Sequence, residues 1–448
     1  MTNTSTRRSP LERFLSLFAD VQPGEGRATI LLTLAVFLLL TSYYIIKPVR
    51  EALILAGGGA AVKSYASAGQ ALLLLITVPA YARLAGRLPR RRLLATVTLF
   101  FTVCLVIFYL LARFAVPLGV AFYLWVGVFN VTVIAQFWSL ANDLYTPEAG
   151  KRVFAILGFG ASAGAVFGAW ITGRLIEPLG IYQLLLLSAV LLVVSLVLSL
   201  AGEQRRPAEV RTAPGVLKDL TTSLEERGAF DLVRASRYLQ LLALLSLLTN
   251  LVNTTGEYLL GELVTQSARE FAMAGGAADE TAIKAAMGPW IGSFYANFFS
   301  IVNLVGLLLQ LFAVSRLVKY VGVPICLLIL PLIALGGYSL LLLWPALTMV
   351  RWAKTAENAT DYSLQNTVRN MLWLPTSRQE KYKAKQLVDT FCVRLGDVLS
   401  AVAVFVGTTW LAAGVSGFAA FNLVLVGLWL IVAVAIGRRF TQLTGNAE

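Results

Sequence analysis

Histidine is absent from the 448-residue sequence. That removes the side chain most easily titrated near neutral pH, so neither a histidine proton relay nor a histidine-held metal is expected. Cysteine is scarce: Cys104, Cys326 and Cys392 all sit in apolar stretches, with no disulfide framework and no metal-ligand spacing. No metal and no cofactor are expected. A phosphate-cradling G-x-x-x-x-G-K-[ST] segment is missing, which argues against an ATP-driven pump. Without a histidine or a metal cluster there is no evident catalytic set, so the chain does not read as an enzyme. No repeated filter segment marks a channel. Charge itself is short: 14% of residues are charged, against roughly 25% in soluble domains.

What fills the space is apolar. Hydrophobic residues make up 58% of the chain and the mean hydropathy is +0.75. Lipid leaves backbone polar groups no water to bond, so a spanning chain must be helical or a closed barrel. Runs such as Leu184 to Leu200 are continuous rather than alternating, which excludes barrel strands. A helical span needs ~20 apolar residues. Such stretches lie near 28–56, 61–86, 92–113, 118–146, 152–176, 180–201, 237–265, 288–316, 322–343, 345–372, 384–412 and 416–437. The expected fold class is an all-α membrane protein with twelve transmembrane helices. The longest polar stretch between spans, Gly202 to Ser236, divides them into two six-helix halves, 1–202 and 237–448, joined by a cytoplasmic linker, 203–236. The polar leader from Met1 to Arg27, with Arg7 and Arg8, is not a cleavable signal.

A net charge of +13 would suggest nucleic acid for a soluble protein. Here the cations fall in alternate loops, as cytoplasmic loops require, and no nucleic-acid partner is expected. Arg83, Arg87, Arg90, Arg91 and Arg92 follow span two; Lys151 and Arg152 follow span four; Arg205, Arg206, Arg211, Lys218, Arg227 and Arg234 fill the centre. Arg316 and Lys319 follow span eight, Arg378, Lys381 and Lys383 follow span ten, and Arg438 and Arg439 close the chain. The intervening loops are nearly bare, apart from a mixed one at Arg269 to Lys284. Both termini are therefore expected in the cytoplasm, with the chain multi-pass in a bacterial inner membrane and contacting lipid.

The halves carry weak internal symmetry. Leu39-Leu40-Thr41-Ser42 matches Leu247-Leu248-Thr249-Asn250, and Leu144-Tyr145-Thr146-Pro147 matches Leu372-Trp373-Leu374-Pro375. Two parallel six-span halves are the plan of major facilitator transporters, with substrate bound near the midplane.

Ionisable residues inside spans cost roughly 2.5–3.5 kcal/mol each at the helix centre, so they are the informative ones. Span one carries Tyr44, Lys47, Pro48, Arg50 and Glu51. Lys47 and Arg50 share a face, and Lys47 and Glu51 stand four apart, in pairing range. Pro48 should break or kink the helix, and Gly256 occupies the matching place in span seven, beside Glu257. Span ten holds a stripe of Lys354, Glu357, Asn358, Asp361 and Gln365, with Arg369 beyond. Span eleven opens with Lys385, Asp389, Arg394 and Asp397; span four closes on Asn142 and Asp143, at an expected cytoplasmic gate. The expected substrate contacts are Tyr44, Lys47, Arg50, Lys354, Asn358, Arg369, Lys385 and Arg394. The expected coupling and gating groups are Glu51, Asp143, Glu257, Glu357, Asp361, Asp389 and Asp397. Gly160, Gly164 and Gly168, four apart, read as a helix-packing stripe.

The stretch Leu374-Pro375-Thr376-Ser377-Arg378-Gln379-Glu380-Lys381-Tyr382-Lys383-Ala384-Lys385, continuing through Asp389 and Arg394-Leu395-Gly396-Asp397, resembles the ATP/ADP translocases of intracellular bacteria and plastids. The Tyr43-to-Glu51 segment resembles their first helix. The resemblance implies a major-facilitator-like fold and nucleotide exchange, with Lys385, Asp389 and Arg394 matching the family stretch. The family's lysine after arginine-leucine-glycine is Asp397 here, one cation fewer for a triphosphate.

The leading reading is a secondary transporter for a small anionic solute such as a nucleotide, by ATP/ADP-type exchange, working by alternating access as a monomer. A proton-coupled carrier using Glu257, Glu357 and Asp361 is the alternative, and a non-transporting sensor or partner-binding subunit ranks below both.

Overall fold

The computed structural model describes Gln22 and residues 25–114, 116–145, 147–204, 228–377 and 379–445. Arg7, Arg8, Thr146, Arg378 and most of the expected linker (205–227) lie outside the described residues.

The described residues form helices and short turns, with no strand among them. Nine of these helices are long and apolar enough to cross a membrane. Two, Gly26–Arg87 and Glu280–Leu343, run to 62 and 64 residues. At 1.5 Å per residue either would extend about 90 Å, three times the ~30 Å hydrocarbon core, so neither is a single span. Each is divided by a glycine in the left-handed region, Gly59 at φ 74° and Gly322 at φ 79°. A further helix, Leu347–Thr360, runs on through a π turn at Asp361–Gln365 into Asn366–Met371. Its mid-span charges keep it out of the apolar set. The expected count of twelve is consistent with this arrangement.

The backbone corrects one expectation. Helix one does not break at Pro48: within Gly26–Arg87 only Gly59 leaves helical geometry. Arg237–Ala274 is likewise continuous through Gly256. Proline is tolerated in membrane helices where neighbours satisfy the freed carbonyl. Gly256 serves close packing instead. A Cβ there would lie 3.2 Å from Lys354 Nζ and would collide with the Tyr338 hydroxyl.

By contacts the chain gathers into two units. The first holds Met1–Leu53, Leu74–Thr222 and Gly292–Ser300; the second holds Ile54–Leu73, Ser223–Ile291 and Ile301–Glu448.

In the first unit the glycine stripe lies on helix one. A Cβ at Gly160 would stand 2.7 Å from Thr33 Cγ2, and one at Gly168 2.5 Å from the Thr41 carbonyl oxygen; at Gly164 the obstacle is the Phe37 carbonyl. Both series ascend together by one turn, so these two helices run parallel. Helix Gln183–Gln204 pairs the other way: Ser42 Oγ donates to the Ser188 carbonyl and Ser195 Oγ to that of Ala35. Odd spans parallel and even spans antiparallel is what alternating loop charge requires. Helix Arg90–Ala112 turns Phe100, Val103 and Ile107 outward. Apolar side chains in such rows would aggregate in water and are at home in lipid. The protein is a multi-pass integral membrane protein.

π turns interrupt helices at Asn130–Ile134 in the first unit and at Leu309–Ala313, Asp361–Gln365, Glu380–Ala384 and Val388–Cys392 in the second. Each inserts a residue into the turn and re-aims the side chains that follow, a feature frequent at functional sites.

Candidate functional site

The first unit gathers the span-one cations against aromatic rings. Lys47 Nζ stands 4.0 Å from the centroid of Phe299 and 5.2 Å from that of Tyr44. The Arg50 guanidinium lies 4.7 Å from the Tyr123 ring. Arg50 also holds Glu51: its Nε donates to Oε1 at 3.0 Å and its Nη2 bonds the same oxygen. Glu51 is 1% exposed and the Arg50 side chain 14%, so neither snorkels to an outer surface. At the helix Ala135–Leu144, Asp143 pairs with Arg90, both well exposed.

The second unit gathers most of the other expected residues. Lys354 is fully buried. Its ammonium donates to Glu357 Oε2 and Asn253 Oδ1, both at 2.9 Å, and lies 3.8 Å from Glu257 Oε1. Asn358 donates to that same Glu257 oxygen at 3.2 Å, and the Tyr338 hydroxyl to Glu357 Oε2 at 3.3 Å. Glu257 Oε2 stands 3.6 Å from Lys63 Nζ. The result is an alternating chain, Lys63–Glu257–Lys354–Glu357, closed at one end by a phenol. Lys63, Asn253 and Tyr338 are new to the site. A lone lysine in an apolar span was the available signal for the first; the other two are uncharged and carry no such mark.

Arg394 and Asp397 come together as neighbours on one helix, at 2.9 Å. Asp397 Oδ1 also accepts from Asn250 at 2.8 Å and Thr254 at 3.1 Å. Arg394 is thus engaged by its own helix.

Beside these networks lies a cavity of about 300 Å³, lined by Thr249, Asn250, Asn253, Asp361, Asn366, Arg369, Asn370, Trp373, Lys385, Asp389 and Val393. That is the lower end of the range for small-molecule sites, roughly 300–1,000 Å³. Its walls are amides, two cations and two carboxylates. Lys385 Nζ donates to Asn370 Oδ1 at 2.8 Å. Expected residues Arg369, Lys385, Asp361 and Asp389 meet here. Lys47, Arg50, Tyr44, Glu51 and Asp143 belong to the first unit. The π turns at Asp361–Gln365 and Val388–Cys392 each place a carboxylate, Asp361 and Asp389, on this cavity.

One pattern touches on catalysis. Gly160-Ala161-Ser162-Ala163-Gly164 spells G-x-S-x-G. A nucleophile elbow needs a sharp strand-to-helix turn, whereas these residues lie inside the continuous helix Pro147–Leu179, where the glycines serve packing.

None of the curated proteins compared with the chain matches it. Solved structures do. A bacterial homologue of the human lysosomal transporter Spinster aligns over 94% of this chain and 98% of its own, at 16% identity and TM-score 0.56. A point mutant of the nucleoside transporter NupG aligns over 93% and 99%, at 11% identity and TM-score 0.63. A bacterial homologue of the iron transporter ferroportin aligns over 92% and 98%, at 13% identity and TM-score 0.63. At such identities the likeness is one of fold. Residues 32–374 match the family described as the Major Facilitator Superfamily, and with well over half its length inside that match the chain belongs to this superfamily.

Proposed function

We propose that the protein is a secondary active transporter that moves a small anionic solute, of the nucleotide or organic-phosphate class, by alternating access. The observation that carries the reading is the amide-rich cavity of about 300 Å³ with Arg369 and Lys385 in its wall. Guanidinium and ammonium groups bind phosphate through charge-assisted hydrogen bonds, and the four asparagines suit the polar edges of a base or sugar. Trp373 offers a flat face.

The charge balance sharpens the class. Asp361 and Asp389 share the lining with the two cations, and Asp397 occupies Arg394. Few cations are left for a triphosphate. A solute with one phosphate or carboxylate group fits better, so exchange of the ATP/ADP type ranks below transport of a monophosphate. The rest of the reading is the two-half plan, 1–202 and 237–448 with linker 203–236, as a monomer in a bacterial inner membrane with both termini in the cytoplasm. Lys47 and Arg50 supply the cationic face of the first half.

Reconstituted protein should exchange labelled nucleotide monophosphate across liposomes, and Arg369→Ala or Lys385→Ala should reduce that exchange at least tenfold. The substrate class is wrong if no nucleotide or organic phosphate is taken up or raises the thermal stability of the purified protein.

A further inference from the structure

Four buried polar atoms of the second unit find no partner among the protein's own groups, and their residues meet in one place. They are Thr249 Oγ1, Glu357 Oε1, Asp361 Oδ1 and Trp429 Nε1. Thr249, Glu357 and Trp429 are 6%, 5% and 2% exposed. All four residues line a second, much smaller cavity of about 10 Å³. A polar atom left unbonded in a protein interior is costly, and four such atoms on residues that share one void point to a bridging group.

Size and chemistry identify that group. A single water needs roughly 10–15 Å³ measured this way, and buried waters typically make about three hydrogen bonds. The indole N–H of Trp429 can only donate, and the threonine hydroxyl can donate or accept. Ionised Glu357 and Asp361 accept. A water matches this set: it accepts from Trp429 and Thr249 and donates to each carboxylate. A metal cation would face the hydrogen of the indole, and an anion would face two carboxylates.

Asp361 and Thr249 line this small cavity and the 300 Å³ cavity alike, while Glu357 reaches inward to Lys354 and Tyr338. We infer that one water is bound here and relays a proton between Asp361 and Glu357, joining the polar cavity to the buried ion network. A proton arriving from the cavity sits on Asp361. Asp361 O–H gives it to the water oxygen as the water releases a different proton to Glu357 Oε1. Asp361 regains its negative charge, Glu357 becomes neutral, and the water is unchanged. Neutral Glu357 then holds Lys354 only weakly, leaving that ammonium to Asn253 and Glu257.

The other charged groups around the pair are known. Lys354 and Tyr338 contact Glu357, Glu257 lies beyond Lys354 with Lys63 beyond it, and Arg369, Lys385 and Asp389 share the larger cavity with Asp361. The consequence, proton-coupled transport, rests on the transport reading; the water and its relay do not.

The test uses purified full-length protein and no substrate. Infrared difference spectra between acidic and alkaline pH should show a carboxylic C=O stretch that appears on acidification. Asp361→Asn and Glu357→Gln should each remove or displace it. Trp429→Phe and Thr249→Val remove one bond to the water without changing charge, and both should shift the band. These milder variants carry the test should the amide variants fail to fold. A band identical in parent, Trp429→Phe and Thr249→Val proteins overturns the relay. So does a density map in which a side chain, rather than a water, fills the site. Unshifted bands alongside intact anion exchange would remove the relay and leave the transport reading standing; shifted bands with no anion exchange would do the reverse.

Discussion

In the first unit Lys47 and Arg50 lie against the faces of Phe299, Tyr44 and Tyr123, with one carboxylate, Glu51, held by its neighbour. In the second, Lys354 is wrapped in oxygen atoms from Glu357, Asn253 and Glu257. The two solutions have different consequences. An aromatic face attracts a cation at modest energy, about 0.5–2 kcal/mol, and takes up no proton. A carboxylate binds more strongly in a dry interior but becomes a titratable partner, and its own second oxygen then needs satisfaction. The second unit holds the orphaned Glu357 oxygen and four of the five π turns among the described residues, while rings surround the cations of the first. Charge held by titratable partners can be rearranged, as around Lys354 in the second unit; charge held against rings stays in place, as for Lys47 in the first.

The largest effect should come from cutting the ion network at its centre. Lys354→Met leaves the buried Glu357 and the partly exposed Glu257 beside an apolar side chain. Removing one partner of a buried pair costs on the order of 3–5 kcal/mol, so this variant should show the greatest fall in Tm of the purified protein. Adding Glu357→Gln should recover much of the loss, since the carboxylate that remains, Glu257, is 23% exposed and keeps Lys63 at 3.6 Å. A single variant as stable as its parent would mean that the network carries no structural load.

Next comes close packing in the first unit. Gly168→Val drives a branched side chain into the Thr41 backbone, which lies 2.5 Å from where the first added carbon would sit. Backbone cannot move aside as a side chain can, and overpacking typically costs about 1–3 kcal/mol. Gly158→Val, on the same helix with open space beside it, is the control and should be near neutral. Equal losses in the two would detach the stripe from helix one.

A smaller effect tests the aromatic solution itself. Phe299→Leu keeps an apolar side chain but removes the ring nearest Lys47. The expected loss is about 0.5–2 kcal/mol, well below that of Lys354→Met. A loss as large as the Lys354 variant's would erase the contrast between the units.

How much of this was legible in the sequence depended on whether spacing or topology chose the partner. The stripe Lys354, Glu357, Asn358 follows from helical periodicity, and Lys354 and Glu357 do pair three residues apart. The glycines at four-residue spacing announced a packing face and formed one. At Glu51 periodicity missed one partner. Adjacent residues do not face each other on a helix, yet the long guanidinium of Arg50 bends back to its neighbour. Periodicity was silent where a partner comes from another helix, as for Glu257 with Lys63. Beyond Asp361 the π turn rotates the register, so the 3.6-residue stripe no longer tells which side chains share a wall. Trp429 and Thr249 look like ordinary packing until their polar atoms are seen without partners.

The smallest effect belongs to the first unit's exposed pair, Arg90 with Asp143, whose side chains are 38% and 49% exposed. Two long-reaching charges in water gain little by meeting, about 0.2–1 kcal/mol in typical cases. Arg90→Ala should therefore shift Tm only slightly, and the shift should vanish in concentrated salt, where the screening length shrinks to about 3 Å. The buried Lys354 pair, shielded from ions, should keep its full effect in the same buffer. If Arg90→Ala changes transport rate while leaving Tm alone, Asp143 works as a gate whose closed state the pair favours. If its Tm loss persists unscreened in salt, the pair is shielded from solvent in the working protein, and the contrast between charge held in place in the first unit and charge open to rearrangement in the second has to be redrawn at this end of the helix.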